Sequence, residues 1–97
     1  MKYTIVFAPE AARDVRNLKA HLRSMVGDAI ETSLRHTPTH VSKSRIKRLR
    51  GLSRPQFRLR VGEVRLFYDV RESTVEVLGV VPKSKVADWL KREGTPA

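Results

Sequence analysis

The chain has 97 residues, 40% hydrophobic and 31% charged, which suits one compact core and excludes a disordered chain. Twenty Lys and Arg against ten Asp and Glu give a net charge of +10, which predicts a polyanionic partner: nucleic acid, an anionic membrane or an acidic protein. The absence of cysteine excludes disulfides, thiolate metal sites and a cysteine nucleophile. The longest apolar run is too short to span a bilayer and the N-terminus does not read as a secretory signal, so we expect a cytoplasmic protein.

The first half of the chain predicts a strand followed by two helices. Apolar residues alternate from Tyr3 to Phe7, as in a strand, and Pro9 suits the first position of a helix. One apolar stripe then runs through Ala11, Val15, Leu18, Leu22 and Met25. Gly27 interrupts this stripe, and a second, shorter helix is expected to carry Ala29, Ile30 and Leu34. Residues 35–40 are expected to form a loop.

The second half predicts consecutive strands and a short last helix. Three apolar runs of β type cover residues 57–61, 64–70 and 75–81, and Trp89 lies on the apolar side of the terminal helix. We therefore predict an α+β fold in a single domain spanning residues 1–97: an N-terminal strand, a two-helix hairpin, an antiparallel meander sheet and a short C-terminal helix.

The segment RLRVGEVRLFY predicts a hairpin with Gly62 and Glu63 as its two turn residues, in a type II′ turn. One face of this hairpin is then apolar, and the other carries Arg58, Arg60, Arg65 and Phe67. Pairing Val70 with Val75 extends the pattern to the third strand. It places Val75, Val77, Gly79 and Val81 on the apolar face, and Leu78 and Val80 on the arginine face, which the helix bearing Trp89 is expected to cover in part.

The three arginines have two interpretations. They could form an ordinary solvated face of an antiparallel sheet. However, such faces usually mix Lys, Glu and Thr, and here Arg60 opposes Arg65 with no acid facing either. Because like charges opposite one another are destabilising and guanidinium groups bind phosphate in a forked geometry, the pattern favours an anion-binding face.

The chain resembles the RelE/ParE superfamily of bacterial toxin–antitoxin toxins. The matching segments are RLRGL (residues 48–52), FRLRVGEVRLFYDV (57–70) and VEVLGVVPKSKVADWL (75–90), and the N-terminal strand and helices fit as well. The resemblance implies one of two activities. RelE-like members are metal-independent, ribosome-dependent mRNA endonucleases that leave a 2′,3′-cyclic phosphate, whereas ParE-like members bind DNA gyrase.

The resemblance also implies roles for individual residues. Arg65 matches the phosphate-binding arginine, Arg58 a position that is basic in RelE-type nucleases, Arg60 the strand-end arginine, and Lys83 the basic residue after the last strand. Arg65, Lys83 and Arg58 are therefore the expected catalytic residues. The expected RNA-binding or phosphate-binding residues are Arg60, Lys47, Arg48, Arg50, Lys85, Phe67 and Trp89.

Two residues depart from the RelE pattern. Trp89 replaces a frequent tyrosine and cannot transfer a proton, and Gln56 replaces a basic residue. The acid and base groups of a nuclease would then come from Lys83, Lys85, His36, His40 or Glu63. The position of Trp89 on the last helix favours a core anchor over a residue that stacks on a base.

The histidines and the basic run from Lys43 to Arg50 support neither a metal site nor a membrane-binding segment. His36 and His40 have i, i+4 spacing, but Thr37-Pro38 between them disfavours a helix and no third ligand is evident, so we predict no metal site. The basic run from Lys43 to Arg50 is either solvated or an electrostatic track for RNA. It does not form an amphipathic membrane helix, so no membrane partner is expected.

The sequence thus predicts the toxin of a toxin–antitoxin module. The first hypothesis is a ribosome-dependent mRNA endonuclease that inhibits translation, needs no cofactor and contacts mRNA and ribosomal RNA. The alternatives are a non-catalytic toxin that binds gyrase and a basic nucleic-acid-binding protein. Both toxin hypotheses predict a cognate antitoxin that covers the basic groove or the helical hairpin.

Overall fold

The computed structural model describes residues 1–97 and confirms the α+β fold. A five-stranded sheet has the order β1-β6-β5-β4-β2, and β3 and β7 form a separate two-stranded sheet. The strands are β1 (Thr4–Phe7), β2 (Ile46–Arg48), β3 (Leu52–Arg54), β4 (Phe57–Val61), β5 (Val64–Arg71), β6 (Thr74–Pro82) and β7 (Thr95–Pro96). The helices are α1 (Pro9–Arg16), α2 (Ala20–Ala29) and α3 (Val86–Glu93). None of them has the length and apolar character needed to cross a membrane.

The predicted meander is present and is extended on both sides. Strands β4, β5 and β6 are antiparallel neighbours, β2 adds antiparallel to β4, and β1 adds parallel to β6. Helices α1 and α2 carry the chain from β1 at one edge of the sheet to β2 at the other edge.

The break between the two helices, which the sequence analysis predicted at Gly27, comes earlier in the structure. The structure interrupts the helical path at residues 17–19, where Lys19 has the extended conformation that precedes α2, and Gly27 lies inside α2. An interior glycine costs a helix only about 1 kcal/mol, so it does not by itself end one. The chain continues from Ala29 into a π-helical turn, Ile30–Leu34, which buries Ile30 and Leu34.

The hairpin register is confirmed throughout. Arg60 pairs with Arg65 and Arg58 with Phe67. Gly62 has a φ of 57°, whereas Glu63 does not have a positive φ, which is the pattern of a type II′ turn.

A bulge in β6 makes part of the predicted third strand wrong. Phe67 pairs with Gly79, but the next residue, Tyr68, pairs with Val77, so Leu78 is an extra residue. Beyond the bulge the alternation is inverted. Val80 joins the main core, and Gly79 and Val81 move to the arginine face. The pairing of Val70 with Val75 and the positions of Val75, Val77 and Leu78 were correct.

The two faces of the sheet carry different layers. The helical hairpin covers the apolar face and forms the main core, which includes Leu34, Leu59, Leu66 and Tyr68. Helix α3 covers part of the arginine face through a smaller cluster: Phe67, Leu78, Val81 and Trp89. Strand β7 pairs with β3 directly after α3, which fixes the C-terminal end of this helix. The part of the arginine face that α3 leaves uncovered contains the candidate site.

Candidate nucleic-acid interface

Five cationic residues meet at one end of the arginine face, which we call the cationic end: Lys47, Arg58, Arg60, Arg65 and Lys83. Strand pairing brings four of them together, because Lys47 lies opposite Arg58 and Arg60 lies opposite Arg65. Lys83 is held beside the hairpin turn, since its backbone N–H donates to the Glu63 carbonyl at 2.7 Å. The structure therefore groups all three predicted catalytic residues with two of the predicted binding residues.

Arg65 is the most enclosed of these cations. Only 7% of its surface is exposed, and its Nη1 donates to the carbonyls of Gly62 at 2.7 Å and Val64 at 3.1 Å. Those bonds fix the guanidinium against the hairpin turn. Its Nε and Nη2 atoms have no protein acceptor and remain available to a bound anion.

Arg58 lies in an unfavourable position. Its Nε is buried and has no hydrogen-bond partner. Desolvation, followed by repulsion from Arg65 and Arg60, lowers the pKa of Arg58 below its usual value. A buried donor without an acceptor costs free energy, and an anion bound beside the exposed part of the guanidinium would supply the missing negative charge.

The cationic end contains no ion pair. The salt bridges of this protein involve Arg35, Arg54, Arg71 and Arg92 as donors, and none reaches a residue of the cationic end. Glu63 is the nearest carboxylate in sequence, but its side chain is within 4.0 Å of none of these cations. The local charge is therefore left for a ligand or for solvent.

An aromatic pair bounds the cationic end. The rings of Phe67 and Trp89 stack with centroids 4.7 Å apart and planes 11° apart. Phe67 is fully buried and Trp89 is only 6% exposed, so neither offers a face to a nucleobase. The interpretation of Trp89 as a core anchor therefore describes this structure, and the predicted stacking of Phe67 and Trp89 on RNA does not fit it.

Gly79 makes the close approach of Trp89 possible. A Cβ atom at this position would lie 2.6 Å from the Cε2 atom of the indole, closer than any packed atom tolerates. Gly79 reaches this face only because of the bulge at Leu78. The bulge and the glycine together create the seat that holds α3 on the sheet.

The other end of the same face, which we call the paired end, consists of Arg54, Asp69, Arg71 and Glu76. Arg54 contacts Asp69 at 3.7 Å and Glu76 at 3.5 Å, and Arg71 contacts Glu76 at 3.7 Å. Asp69 is buried and accepts a hydrogen bond from the backbone N–H of Gln56 at 2.8 Å.

The sequence interpretation missed the paired end, although its pattern was visible. Asp69 follows Phe67 by two residues, so the same alternation that placed Arg65 and Phe67 on this face also places Asp69 there. Gln56 has a structural role, since its Oε1 accepts the backbone N–H of Val70 at 2.9 Å.

The remaining predicted binding residues do not all join the cationic end. Arg48 pairs with Phe57, and its guanidinium carbon lies 5.0 Å from the centre of that ring, on the apolar side of the sheet. Arg50 and Lys85 are exposed, in the loop after β2 and in the turn before α3. Of the three predicted binding residues in the basic run, only Lys47 lies opposite an arginine of the sheet.

The two candidate histidines, His36 and His40, belong to a loop that Tyr68 holds in place. The Tyr68 hydroxyl donates to the Pro38 carbonyl at 2.7 Å on the apolar side, and burial raises the pKa of Tyr68. That bond also places the loop that carries His36 and His40 on the apolar side, away from the arginines. Nowhere do three or more His, Cys, Asp or Glu side chains gather as a metal site would require.

Comparison with known proteins agrees with this architecture. Residues 5–87 match the family model described as the ParE toxin of the type II toxin–antitoxin system parDE. No individually curated sequence matches the chain.

Among solved structures, the toxin–antitoxin complex RelBE2 from Mycobacterium tuberculosis is similar, with 28% identity, a TM-score of 0.66, and coverage of 84% of this chain and 99% of the other. The RelE–RelB complex from Pyrococcus horikoshii OT3 has 18% identity, a TM-score of 0.71 and coverage of 88% and 99%. A free-state mutant of the E. coli toxin RelE has 22% identity, a TM-score of 0.67 and coverage of 96% and 99%. The chain therefore belongs to the ParE toxin family of type II toxin–antitoxin systems, within the RelE/ParE superfamily.

Proposed function

We propose that this toxin is a ribosome-dependent mRNA endonuclease of the RelE type, acting in the cytoplasm, whose cationic end holds the scissile phosphate. The observation that supports this proposal most is the group of five cations with no carboxylate partner and with a buried, unpartnered Arg58 Nε. If these cations had only a structural role, the Arg58 Nε would lack an acceptor and nothing would offset the repulsion between Arg60 and Arg65.

Cleavage in this class proceeds through attack of the ribose 2′-oxygen on the adjacent phosphorus. The bond from phosphorus to the 5′-oxygen of the next nucleotide breaks, and a 2′,3′-cyclic phosphate remains. The phosphorane that forms carries extra negative charge, which Arg58 and Arg65 are placed to neutralise with fixed donors. Arg60 and Lys47 would hold the flanking phosphates.

Proton transfer then falls to groups beside the hairpin turn. Of the five candidates named from the sequence, Lys83 belongs to the cationic end and Glu63 lies beside it, since the Lys83 N–H donates to the Glu63 carbonyl. Lys83 is exposed and can donate a proton to the departing 5′-oxygen. Glu63, also exposed, is the carboxylate that could accept the 2′-hydroxyl proton.

The test uses ribosomes programmed with a short mRNA. We expect the wild-type chain to cleave this mRNA in the A site and to leave a cyclic phosphate end. Arg58→Ala should reduce the cleavage rate by about 100-fold, because removing one fixed donor to an oxyanion costs about 10²–10³ in rate. Arg71→Ala, which removes an equal charge from the paired end, is the control and should cleave normally. Cleavage by Arg58→Ala at the wild-type rate contradicts the assignment.

We also propose that a cognate antitoxin binds this chain. The RelE–RelB and RelBE2 neighbours are complexes of a toxin with an antitoxin, and a charge of +10 suits an acidic inhibitor. Co-expression with the protein encoded by the adjacent gene should yield a stable complex that no longer cleaves mRNA.

Inhibition of DNA gyrase is the second candidate function. It is favoured by the burial of Phe67 and Trp89, which leaves no aromatic face at the site for a nucleobase. A supercoiling assay separates the two functions. Inhibition of gyrase together with intact mRNA on ribosomes would establish the second function in place of the first.

A further inference from the structure

The first strand leaves part of the sheet edge without a partner. Strand β1 pairs on one side only, parallel with β6. The backbone N–H groups of Thr4 and Ala8 donate to carbonyls on that side at 2.8 and 2.9 Å. Because alternate residues of a strand bond to the same neighbour, Ile5 and Phe7 direct their N–H and C=O groups away from the sheet.

The structure closes the edge on either side of these two residues. Before them, the Tyr3 N–H donates to the Arg35 carbonyl at 2.7 Å, and the Arg35 Nη1 donates to the Tyr3 carbonyl at 3.1 Å. Beyond them, α1 takes the place of a strand, and its Asp14 Oδ2 accepts the Val80 N–H of β6 at 3.0 Å. The unpaired edge therefore consists of residues 5–7.

The opposite edge of the sheet, β2, is protected against a further strand. The Ile46 N–H donates to the Ser42 Oγ at 3.2 Å, and the Ile46 carbonyl accepts the Ser42 N–H at 3.0 Å. The other residues of β2 are Lys47 and Arg48, and charged side chains disfavour edge-to-edge pairing. Strand β1, with the sequence TIVF, has no charge, proline or bulge. It is therefore the edge on which an additional strand can pair.

The side chains of β1 present apolar surface to solvent at the same place. Val6 is 41% exposed and Phe7 is 38% exposed, whereas Ile5 packs against the main core. Alternation places Ile5 and Phe7 on the apolar face of the sheet and Val6 on the arginine face. An added strand would cover apolar side chains on both faces while it pairs with the free backbone groups.

We propose that two copies of this chain form a dimer by antiparallel pairing of their β1 strands, with a two-fold axis at Val6. The free backbone groups fix the register. Ile5 of each copy exchanges hydrogen bonds with Phe7 of the other copy. The two Val6 residues then face each other in a non-hydrogen-bonded pair.

Other registers leave groups unpaired or misplaced. A shift by one residue would bring a core-facing side chain to the arginine face. A shift by two in one direction would place Phe7 opposite Tyr3, whose backbone groups are already bonded. In the other direction it would place Ile5 opposite Pro9, which has no N–H.

The charge distribution suits a second copy at this edge. The antiparallel register brings Lys2 of one copy toward the first turn of α1 in the other, where Glu10 lies. Neither residue forms a salt bridge within its own chain. Lys47, Arg58 and Arg60 lie on β2 and β4, toward the opposite edge of the sheet. The dimer therefore leaves both cationic ends open, and it does not depend on the proposed nuclease activity.

Sedimentation equilibrium of the purified full chain over a range of concentrations tests the dimer. We expect reversible dimers whose dissociation constant rises at least tenfold in Val6→Lys, because this change removes an apolar contact and sets two like charges directly opposite each other. The control is Val41→Lys, which adds the same charge at an exposed valine in the loop before β2 and should change the constant less than twofold. Mixing Val6→Lys with Val6→Glu should restore dimers, since opposite charges then meet at the axis.

A cross-link tests the register independently. The chain has no cysteine, so Val6→Cys introduces a single thiol. The Cα atoms of a non-hydrogen-bonded antiparallel pair are about 4.5 Å apart, which a disulfide can span. In a buffer of reduced and oxidised glutathione we expect Val6→Cys to form a disulfide-linked dimer and Val41→Cys to remain largely monomeric.

A wild-type chain that stays monomeric at every concentration would leave β1 to another kind of partner and would overturn the proposal. Equal weakening by Val6→Lys and Val41→Lys would overturn it as well. The same holds for a mixture of the lysine and glutamate variants that does not recover dimers, and for equal cross-linking of the two cysteine variants.

Discussion

The two ends of one sheet face show how the same residue type can have opposite roles. At the paired end, Arg54 and Arg71 contact the carboxylates of Asp69 and Glu76 within 4.0 Å. At the cationic end, Arg58 and its neighbours repel one another and contact no carboxylate. The same face of the sheet also carries the stacked rings of Phe67 and Trp89, in the small cluster that lies under α3.

This difference separates arginines that stabilise the fold from arginines that lower its stability. The paired arginines recover part of their desolvation cost through attraction to the nearby carboxylates. Unpaired arginines that face one another carry a cost that the fold does not recover, so a ligand is their most direct explanation. Mutations at the paired end should therefore change mainly the stability of the fold, and mutations at the cationic end mainly the binding of RNA.

The largest effect is expected in the aromatic cluster on this face. Trp89→Ala should lower the free energy of unfolding by about 3–5 kcal/mol, because it empties the seat over Gly79 and unstacks Phe67. Urea denaturation measures this change. Trp89→Phe, which keeps a ring on Phe67, is the control and should lose less. A stable Trp89→Ala variant with weakened RNA binding would show that the indole meets RNA.

The next effect is expected at the paired end. Asp69→Ala should lower the free energy of unfolding by about 1.5–3 kcal/mol, since it removes the buried, charged acceptor of the Gln56 N–H and the ion-pair partner of Arg54. RNA affinity should change less than twofold. A large loss of RNA affinity with unchanged stability would mean that the paired end takes part in binding.

The opposite sign is expected at the cationic end. Arg58→Met places a methyl group about where Nε lies and removes the charged guanidinium, with its unpartnered Nε and its like-charge contacts. It should raise the free energy of unfolding by about 0.5–1 kcal/mol while weakening RNA binding at least tenfold. A destabilised Arg58→Met variant would show that Arg58 supports the fold.

The smallest effect is a change in salt dependence. For single-stranded nucleic acid, the slope of log K against log salt is about −0.7 for each phosphate neutralised. Arg60→Gln and Lys83→Gln should each reduce the slope by about 0.7, whereas Arg71→Gln should not. Binding isotherms of an oligoribonucleotide at several salt concentrations measure it, and equal slopes in all three variants would place the phosphates elsewhere.

The sequence alone predicted the register of the hairpin and the face on which its arginines lie. The Gly62-Glu63 turn and strict alternation set the register, so Arg58, Arg60 and Arg65 could be assigned to one face before the structure was known. The resemblance to toxins added Lys83, whose position depends on the β6–α3 junction.

The bulge at Leu78 could not be predicted, because an apolar residue on either face satisfies the hydrophobic pattern equally well. Its cause is tertiary: Gly79 must face Trp89 for the indole to pack. The helix break at residues 17–19 was missed for a related reason, since packing on the sheet, rather than local propensity, sets where the hairpin turns.

The most direct test of the central claim compares two double variants of equal net charge on programmed ribosomes. Arg60→Gln with Lys83→Gln removes two charges from the cationic end, and Arg13→Gln with Arg71→Gln removes two from elsewhere. The account predicts that the first variant loses at least 100-fold in cleavage rate and that the second stays within about threefold of the wild type. Equal losses in both would show that only total charge matters and would contradict a phosphate site at the cationic end.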